Sequence, residues 1–148
     1  MSEPVVIRPM DMANVHQVAE LEKICFADPW SLRSLQYEAI NPGAVYLIAM
    51  RGESVLGYVG MHHVADEGHI TNVAVAPAWR RKGIGRALIL SLIAYARQQE
   101  MAFLTLEVRA SNEAAAALYG GFGFAPAGLR KRYYKSPVED AIIMTLNL

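Results

Sequence analysis

Two stretches of the chain hold residues whose types and spacing can do chemistry. The first is Val73-Ala74-Val75-Ala76-Pro77-Ala78-Trp79-Arg80-Arg81-Lys82-Gly83-Ile84-Gly85-Arg86-Ala87-Leu88. A β-branched apolar run halts at Pro77, a basic loop with two glycines follows, and a long apolar-periodic segment comes next. That order reads as strand, loop and helix start. N–H groups at a helix start lack intrahelical partners and carry partial positive charge, so they attract anions. Glycine lets the backbone curl and come close to phosphate oxygens, and Arg80, Arg81, Lys82 and Arg86 add full charges. This chemistry suits a pyrophosphate. A nucleoside-triphosphate loop is excluded, because Gly85 is followed by Arg86-Ala87 and not by Lys-Ser/Thr. A dinucleotide fingerprint is excluded by Leu88 at the place of its third glycine. On residues alone, the pattern Arg80-x-x-Gly83-x-Gly85 leaves two readings: an anion cradle, or a basic helix start on a solvated surface.

The second stretch is Leu104-Thr105-Leu106-Glu107-Val108-Arg109-Ala110-Ser111-Asn112, a strand running into a helix cap. Side chains alternate along a strand, so Leu104, Leu106 and Val108 share one face while Glu107 and Arg109 share the other. A glutamate in an apolar strand is costly unless solvated or paired. It is either an ion-pair partner for a nearby Lys or Arg, or a general base facing a cleft, where partial burial strengthens a carboxylate's hold on a proton. Shortly after, Leu118-Tyr119-Gly120-Gly121-Phe122-Gly123-Phe124 places a tyrosine near a helix end, where it either packs or presents a proton-donating phenol.

Together these motifs resemble the GCN5-related N-acetyltransferase (GNAT) family. Arg80-x-x-Gly83-x-Gly85 matches its pyrophosphate loop. Leu106-Glu107-Val108-Arg109-Ala110-Ser111-Asn112, followed by Ala117-Leu118-Tyr119 and Gly123-Phe124, looks like its RimI-type branch, the ribosomal-protein alanine N-acetyltransferases. Pro29-Trp30-Ser31, Arg132-Tyr133-Tyr134 and Glu139-Asp140-Ala141-Ile142-Ile143-Met144 extend the resemblance over nearly the whole chain. The resemblance implies an α/β fold with a mixed central sheet flanked by helices, acetyl-coenzyme A as cosubstrate, and the N-terminal alanine of a small-subunit ribosomal protein as acceptor. It implies Glu107 as proton acceptor and Tyr119 as proton donor to the departing thiolate. It implies coenzyme contacts from Val73, Ala74 and Val75, from Arg81, Lys82, Gly83, Ile84, Gly85 and Arg86, and from Asn112. One departure stands out: Gly120-Gly121 falls where the family has helix formers, and it predicts an early end to the helix that aims Tyr119.

The elements that must position these residues can be read from periodicity. Val5 to Arg8 is a short strand. Asp11 or Asn14 caps a helix to about Phe26, with Val15, Val18, Leu21, Ile24 and Cys25 on one face. Ser31 caps a second helix carrying Leu32, Leu35 and Ile40. Val45 to Met50 and Val55 to Met61 form a hairpin, and His69 to Val75 is the next strand. Ala87 to Arg97 is a largely buried helix, Phe103 to Val108 a central strand, and Glu113 to Tyr119 a helix capped by Ser111 or Asn112. Strands near Leu129 to Tyr134 and Ala141 to Leu146 close the order, an α/β sandwich around a mixed sheet.

The 148 residues make one domain, 53% hydrophobic, which supports a packed core and argues against disorder. Apolar runs are too short for a membrane span, and no secretory signal is visible after Met1, so a cytoplasmic location is expected. The single cysteine, Cys25, fits a reducing compartment. Zero formal net charge argues against direct nucleic-acid binding. His62-His63 lie side by side on a strand and point to opposite faces, which makes them poor metal partners; no metal is expected. The expectation is direct acetyl transfer from acetyl-coenzyme A to a protein α-amine, with oxyanion support from backbone N–H near Val75. A same-fold enzyme for a lysine or a small amine, and a noncatalytic acyl-coenzyme A sensor, stay open.

Overall fold

Alternating apolar strands and amphipathic helices assemble into a single seven-stranded sheet in the computed structural model, which describes residues 3–148. In chain order the elements are β1 (Val5–Pro9), α1 (Val15–Cys25), α2 (Leu32–Ile40), β2 (Ala44–Arg51), β3 (Ser54–Val64), β4 (Glu67–Val75), α3 (Ile84–Gln98), β5 (Phe103–Arg109), α4 (Glu113–Gly121), β6 (Ala125–Lys135) and β7 (Val138–Asn147). The strands lie in the order β1-β2-β3-β4-β5-β7-β6. Every pairing is antiparallel except β4 with β5. A parallel pair needs a crossover, and α3 supplies it. Each face of the sheet buries its own core. Leu88, Ile89, Leu92 and Ile93 of α3 pack on Val59, Met61, Leu104, Leu106 and Val108. On the other face Val15, Val18 and Leu21 of α1 and Leu35 of α2 pack on Tyr46, Ile48, Tyr58 and Ala74.

The pairing of β4 with β5 stops almost as soon as it starts. Only Glu67, Gly68 and His69 find partners, in Phe103, Leu104 and Thr105; beyond them the strands separate. Just past this point β4 carries a bulge at Thr71: Met61 pairs with Ile70, but Gly60 pairs with Asn72. An inserted residue reverses the alternation of side chains. His69 therefore joins Asn72 and Ala74 on the α1 face, while Ile70, Val73 and Val75 face α3. A second irregularity lies in β6 between Arg130 and Tyr134. There Arg132 takes a left-handed φ of 52°, and its N–H is held by Asp140 Oδ1 at 2.9 Å.

Several faces differ from the periodic reading. Ile24 and Ile40, expected inward, are 65% and 73% exposed, and Leu32 and Leu90 are also exposed. The buried stripe of α1 instead includes Glu22, fully buried. Its carboxylate accepts hydrogen bonds from the Trp30 N–H (2.8 Å), the Tyr58 hydroxyl (2.7 Å) and the Asn72 amide (3.2 Å). The same Asn72 amide donates to the Tyr58 oxygen at 2.9 Å. One carboxylate thus ties α1, the loop before α2, β3 and β4 together. Burial and then the charge of Glu22 push the Tyr58 phenol well above its usual range, so it stays a neutral donor.

The glycine pair does not end α4 early. The helix runs through Gly120 and Gly121 because Ala115, Ala116, Tyr119 and Phe122 pack against the core. It stops at Gly123, whose φ is 104°. The Phe124 N–H returns to the Tyr119 carbonyl at 3.2 Å and the Gly123 N–H to the Gly120 carbonyl at 3.0 Å, the paired bonds of a Schellman end. Tyr119 is therefore held inside the last turn.

Replacing Tyr58 with Phe keeps the ring and removes one of the three donors on a buried carboxylate. The expected cost is about 1–3 kcal/mol, read as a lower urea midpoint with an unchanged slope.

Candidate functional site

Where β4 and β5 part, a cleft of about 590 Å³ opens through the sheet. Its walls include His69, Asn72 and Val73 from β4, Glu107 and Arg109 from β5, Asn112 and Tyr119 at α4, Trp30 from the loop before α2, and Tyr133 and Tyr134 from β6. The alternation of β5 sends Leu104, Leu106 and Val108 into the α3 core, which leaves Glu107 on the opposite face. Its side chain is 7% exposed. Oε1 lies 3.1 Å from Arg130 Nε and Oε2 lies 2.6 Å from His69 Nε2. The two readings of Glu107 therefore coexist: it is ion-paired, and it lines a cleft.

Tyr119 enters the same cleft from the last turn of α4 and packs edge-on against Phe124, ring centroids 5.9 Å apart. Burial pushes its phenol up to about 12, so it holds its proton throughout the neutral range. Tyr134 is also pushed up to about 12, by burial first and then by neighbouring Tyr133 and Glu107. Arg109, stacked 4.3 Å from the Tyr134 ring, is paired with Glu139 at 3.2 Å, which fixes the β6 and β7 wall.

The basic loop sits at the open end of the gap. Gly83 is the N-cap of α3 with φ 82°, a conformation that favours glycine. Intrahelical bonding begins with the Ala87 N–H to the Gly83 carbonyl, so the N–H groups of Ile84, Gly85 and Arg86 precede the ladder, and no side chain caps them. Ile84 is buried, leaving only its backbone to face a ligand. Gly85 is informative because a Cβ there would meet only Val75 Cγ2, at 3.7 Å. Nothing among the described residues requires glycine at that position; a ligand brought against the backbone would. Lys82 stands 4.9 Å from the Trp79 ring and Arg86 stands 5.5 Å from the Phe122 ring, while Arg81 occupies a left-handed φ of 63°. Arg80 is used within the chain: Nε donates to the Val75 carbonyl at 3.1 Å.

Backbone groups complete this wall. The Ala76 N–H bonds the Leu56 carbonyl at 2.8 Å, so hydrogen bonds to β3 fall on even-numbered residues here. Ala74 turns its backbone to β3 and its side chain into the α1 core. Val73 and Val75 turn their backbone groups toward the gap that β5 has left. Asn112 accepts from the Ala115 N–H at 3.1 Å, capping α4, and its side chain borders the cleft. The set fits a phosphate-bearing ligand whose tail runs into the gap.

His69, Arg130 and Glu22 were not visible as site residues in the sequence. Strict alternation would place His69 with Val73 and Val75, and only the Thr71 bulge brings it to Glu107. His62, the register partner of His69 on β3, pairs in turn with Glu38. Burial raises the Glu38 carboxyl's proton affinity, but hydrogen bonds from His62 and Asn41 outweigh it and hold the group below its usual range. Among the described residues no three His, Cys, Asp or Glu side chains gather as metal ligands.

Comparison with known proteins accounts for this arrangement. Residues 15–124 match the acetyltransferase (GNAT) family. The chain is 37% identical over 145 residues to the ribosomal protein bS18-alanine N-acetyltransferase of Escherichia coli K12, with 95% of each covered. It is 36% identical over 149 residues to the N-alpha-acetyltransferase RimI of Mycobacterium tuberculosis, covering 97% of this chain and 92% of that one. The crystal structure of the Escherichia coli ribosomal-protein-S18-alanine N-acetyltransferase superposes with a TM-score of 0.90 at 33% identity, over 97% of this chain and 94% of that one. Arabidopsis thaliana NAA60 in complex with acetyl-CoA shares the fold, with a TM-score of 0.90 at 17% identity over 98% of this chain and 100% of that one. The family match spans the glycine-bearing start of α3 as well as Glu107 and Tyr119, and the chain belongs to the acetyltransferase (GNAT) family.

Proposed function

We propose that this protein transfers the acetyl group of acetyl-coenzyme A to the N-terminal α-amine of a protein, an alanine of a small-subunit ribosomal protein. The observation that carries the reading is a nearly buried carboxylate and a protonated phenol on one cleft, with a glycine-lined helix start at its open end. Ile84, Gly85 and Arg86 would hold the pyrophosphate through backbone N–H, with Arg81, Lys82 and Arg86 adding charge. Val73 and Val75 would border the thioester arm, and Asn112 the far side. The bound coenzyme supplies an activated acyl group; the chain supplies proton management. Glu107 accepts the amine proton as nitrogen attacks. The Val75 N–H faces the developing oxyanion, and Tyr119 gives its proton to the departing sulfur.

The acceptor class draws support from the relatives' names and from one energetic comparison. An α-amine titrates near 8 and a lysine near 10.4, so freeing the α-amine of its proton at neutral pH is easier by about 3 kcal/mol. A ribosomal acceptor also places the protein in the cytoplasm. No described helix is long and apolar enough to cross a membrane.

Three substitutions test the parts. Gly85→Val fills the cradle with little effect on packing. Calorimetric titration should show coenzyme A affinity greatly weakened in a folded protein; unchanged affinity removes the cradle. Glu107→Gln should keep coenzyme affinity and lose roughly 10²–10⁴-fold in turnover on an alanine-terminated peptide. Wild-type turnover at pH 7 would leave Glu107 only as an ion-pair partner. Tyr119→Phe keeps the ring against Phe124 and removes the hydroxyl. The turnover number and kcat/KM should fall together, as for an interaction made only in the transition state; a raised KM for acetyl-coenzyme A with turnover intact would assign the phenol to binding instead.

A further inference from the structure

A base that accepts a proton on every cycle has to lose it on every cycle. As the N–C bond forms and the C–S bond breaks, the amine's proton goes to Glu107 and the thiolate draws one from Tyr119. Before the next turnover Glu107 must release a proton and Tyr119 must regain one. Glu107 is 7% exposed, and each of its oxygens is already held. Arg130, on Oε1, is a guanidinium with no lone pair and cannot take the proton. His69, on Oε2 at 2.6 Å, can take it at Nε2, and its side chain is 40% exposed. The bulge at Thr71 turns His69 out of the α3 core and onto this oxygen.

We propose that His69 is the proton outlet of Glu107. It acts through Glu107 and touches no reacting atom. Once Glu107 is protonated, the ring exchanges with water to its Nδ1–H tautomer, takes the carboxyl proton at Nε2 and releases the Nδ1 proton to water, which restores both the carboxylate and the Nε2–H donor with no other reactant. The ring stands among charged and titratable groups from several elements. His62 of β3 is its register partner, with Glu38 of α2 behind it; Glu107 of β5 and Arg130 and Tyr133 of β6 lie ahead. Glu22 of α1 and Asp28 of the following loop border the same cleft. Of these, Arg130 and His69 alone hydrogen-bond the Glu107 carboxylate.

This inference rests on Glu107 being the base, and the test separates the two. His69→Gln keeps an N–H donor for Oε2 but cannot relay a proton, whereas His69→Ala leaves room for a small base. Both are assayed with acetyl-coenzyme A and an alanine-terminated peptide at low buffer concentration. In His69→Gln kcat should fall about 10-fold or more, less than for loss of the base itself, with both KM values unchanged. Added imidazole should restore turnover in His69→Ala and leave the lowered turnover of Glu107→Gln unchanged. Full kcat in His69→Gln, or no response of a folded His69→Ala to imidazole, overturns the outlet while leaving Glu107 as base. Full activity in Glu107→Gln overturns both.

Discussion

The parting of β4 and β5 after His69 and Thr105 is the constraint on which the rest of the molecule depends. Backbone groups that lose a strand partner are expensive if they are also sealed from water. Here they line an open cleft, and the Val75 carbonyl is claimed by the Arg80 guanidinium at 3.1 Å and approached by Cys25 Sγ at 3.6 Å. The two cores hold the strands apart. Leu104, Leu106 and Val108 commit β5 to the α3 side, while Ala74 and Asn72 commit β4 to α1 through apolar contact and the Glu22 network. Closing the gap would require giving up packing on one face or the other. Each fully buried aliphatic side chain contributes about 1.5–3 kcal/mol, so the gap is a property of the folded state and needs no ligand to hold it open.

Charge follows the same geometry. A carboxylate as buried as Glu107 is tolerated only when paired and hydrogen-bonded, and its partners come from strands on opposite sides of it in the sheet order. His69 lies on β4, Arg130 on β6. The side-chain bond from His69 to Glu107 continues across the gap at the level where the backbone ladder has just ended. The irregular stretch of β6 that follows Arg130 also brings Tyr133 and Tyr134 to the cleft, and the Glu107 charge contributes, after burial, to the raised phenols of both. Glu107 thus belongs to a set of groups whose proton affinities depend on its charge.

The sequence made some of this legible and hid the rest for physical reasons. The glycine-bearing basic start of α3 was readable because helix starts, glycine and basic residues declare themselves locally. The strand alternation around Glu107 was readable because β5 is regular from Phe103 to Arg109. His69 was hidden because a bulge reverses alternation without any marker in residue type. Glu22 was hidden because a buried glutamate on an amphipathic helix looks like its polar edge. Ile24 and Ile40 misled in the opposite sense, since apolar character does not by itself specify burial. Gly120 and Gly121 suggested a break by propensity, but packing of the helix's inner face and the turn at Gly123 override a cost of roughly 1 kcal/mol per glycine.

In the proposed transfer Tyr119 is the proton donor to the departing sulfur, and its acidity has to suit that role. The buried phenol near 12 is a weaker acid than a free thiol near 8.5, so its proton would pass to a solvated thiolate only against about 5 kcal/mol. The burial that raises Tyr119 also changes its partner. A thiolate expelled against the same apolar wall is desolvated too, and desolvation raises a thiol's proton affinity just as it raises a phenol's. The mismatch therefore narrows where the sulfur leaves, and it is full-sized only once the thiolate reaches water. As the proposed donor, Tyr119 would keep its proton through binding and attack and part with it as negative charge forms beside it. A more acidic phenol would lose that timing by ionising early and repelling the sulfur. For a proton donor in this position, burial without a charged partner is a working arrangement.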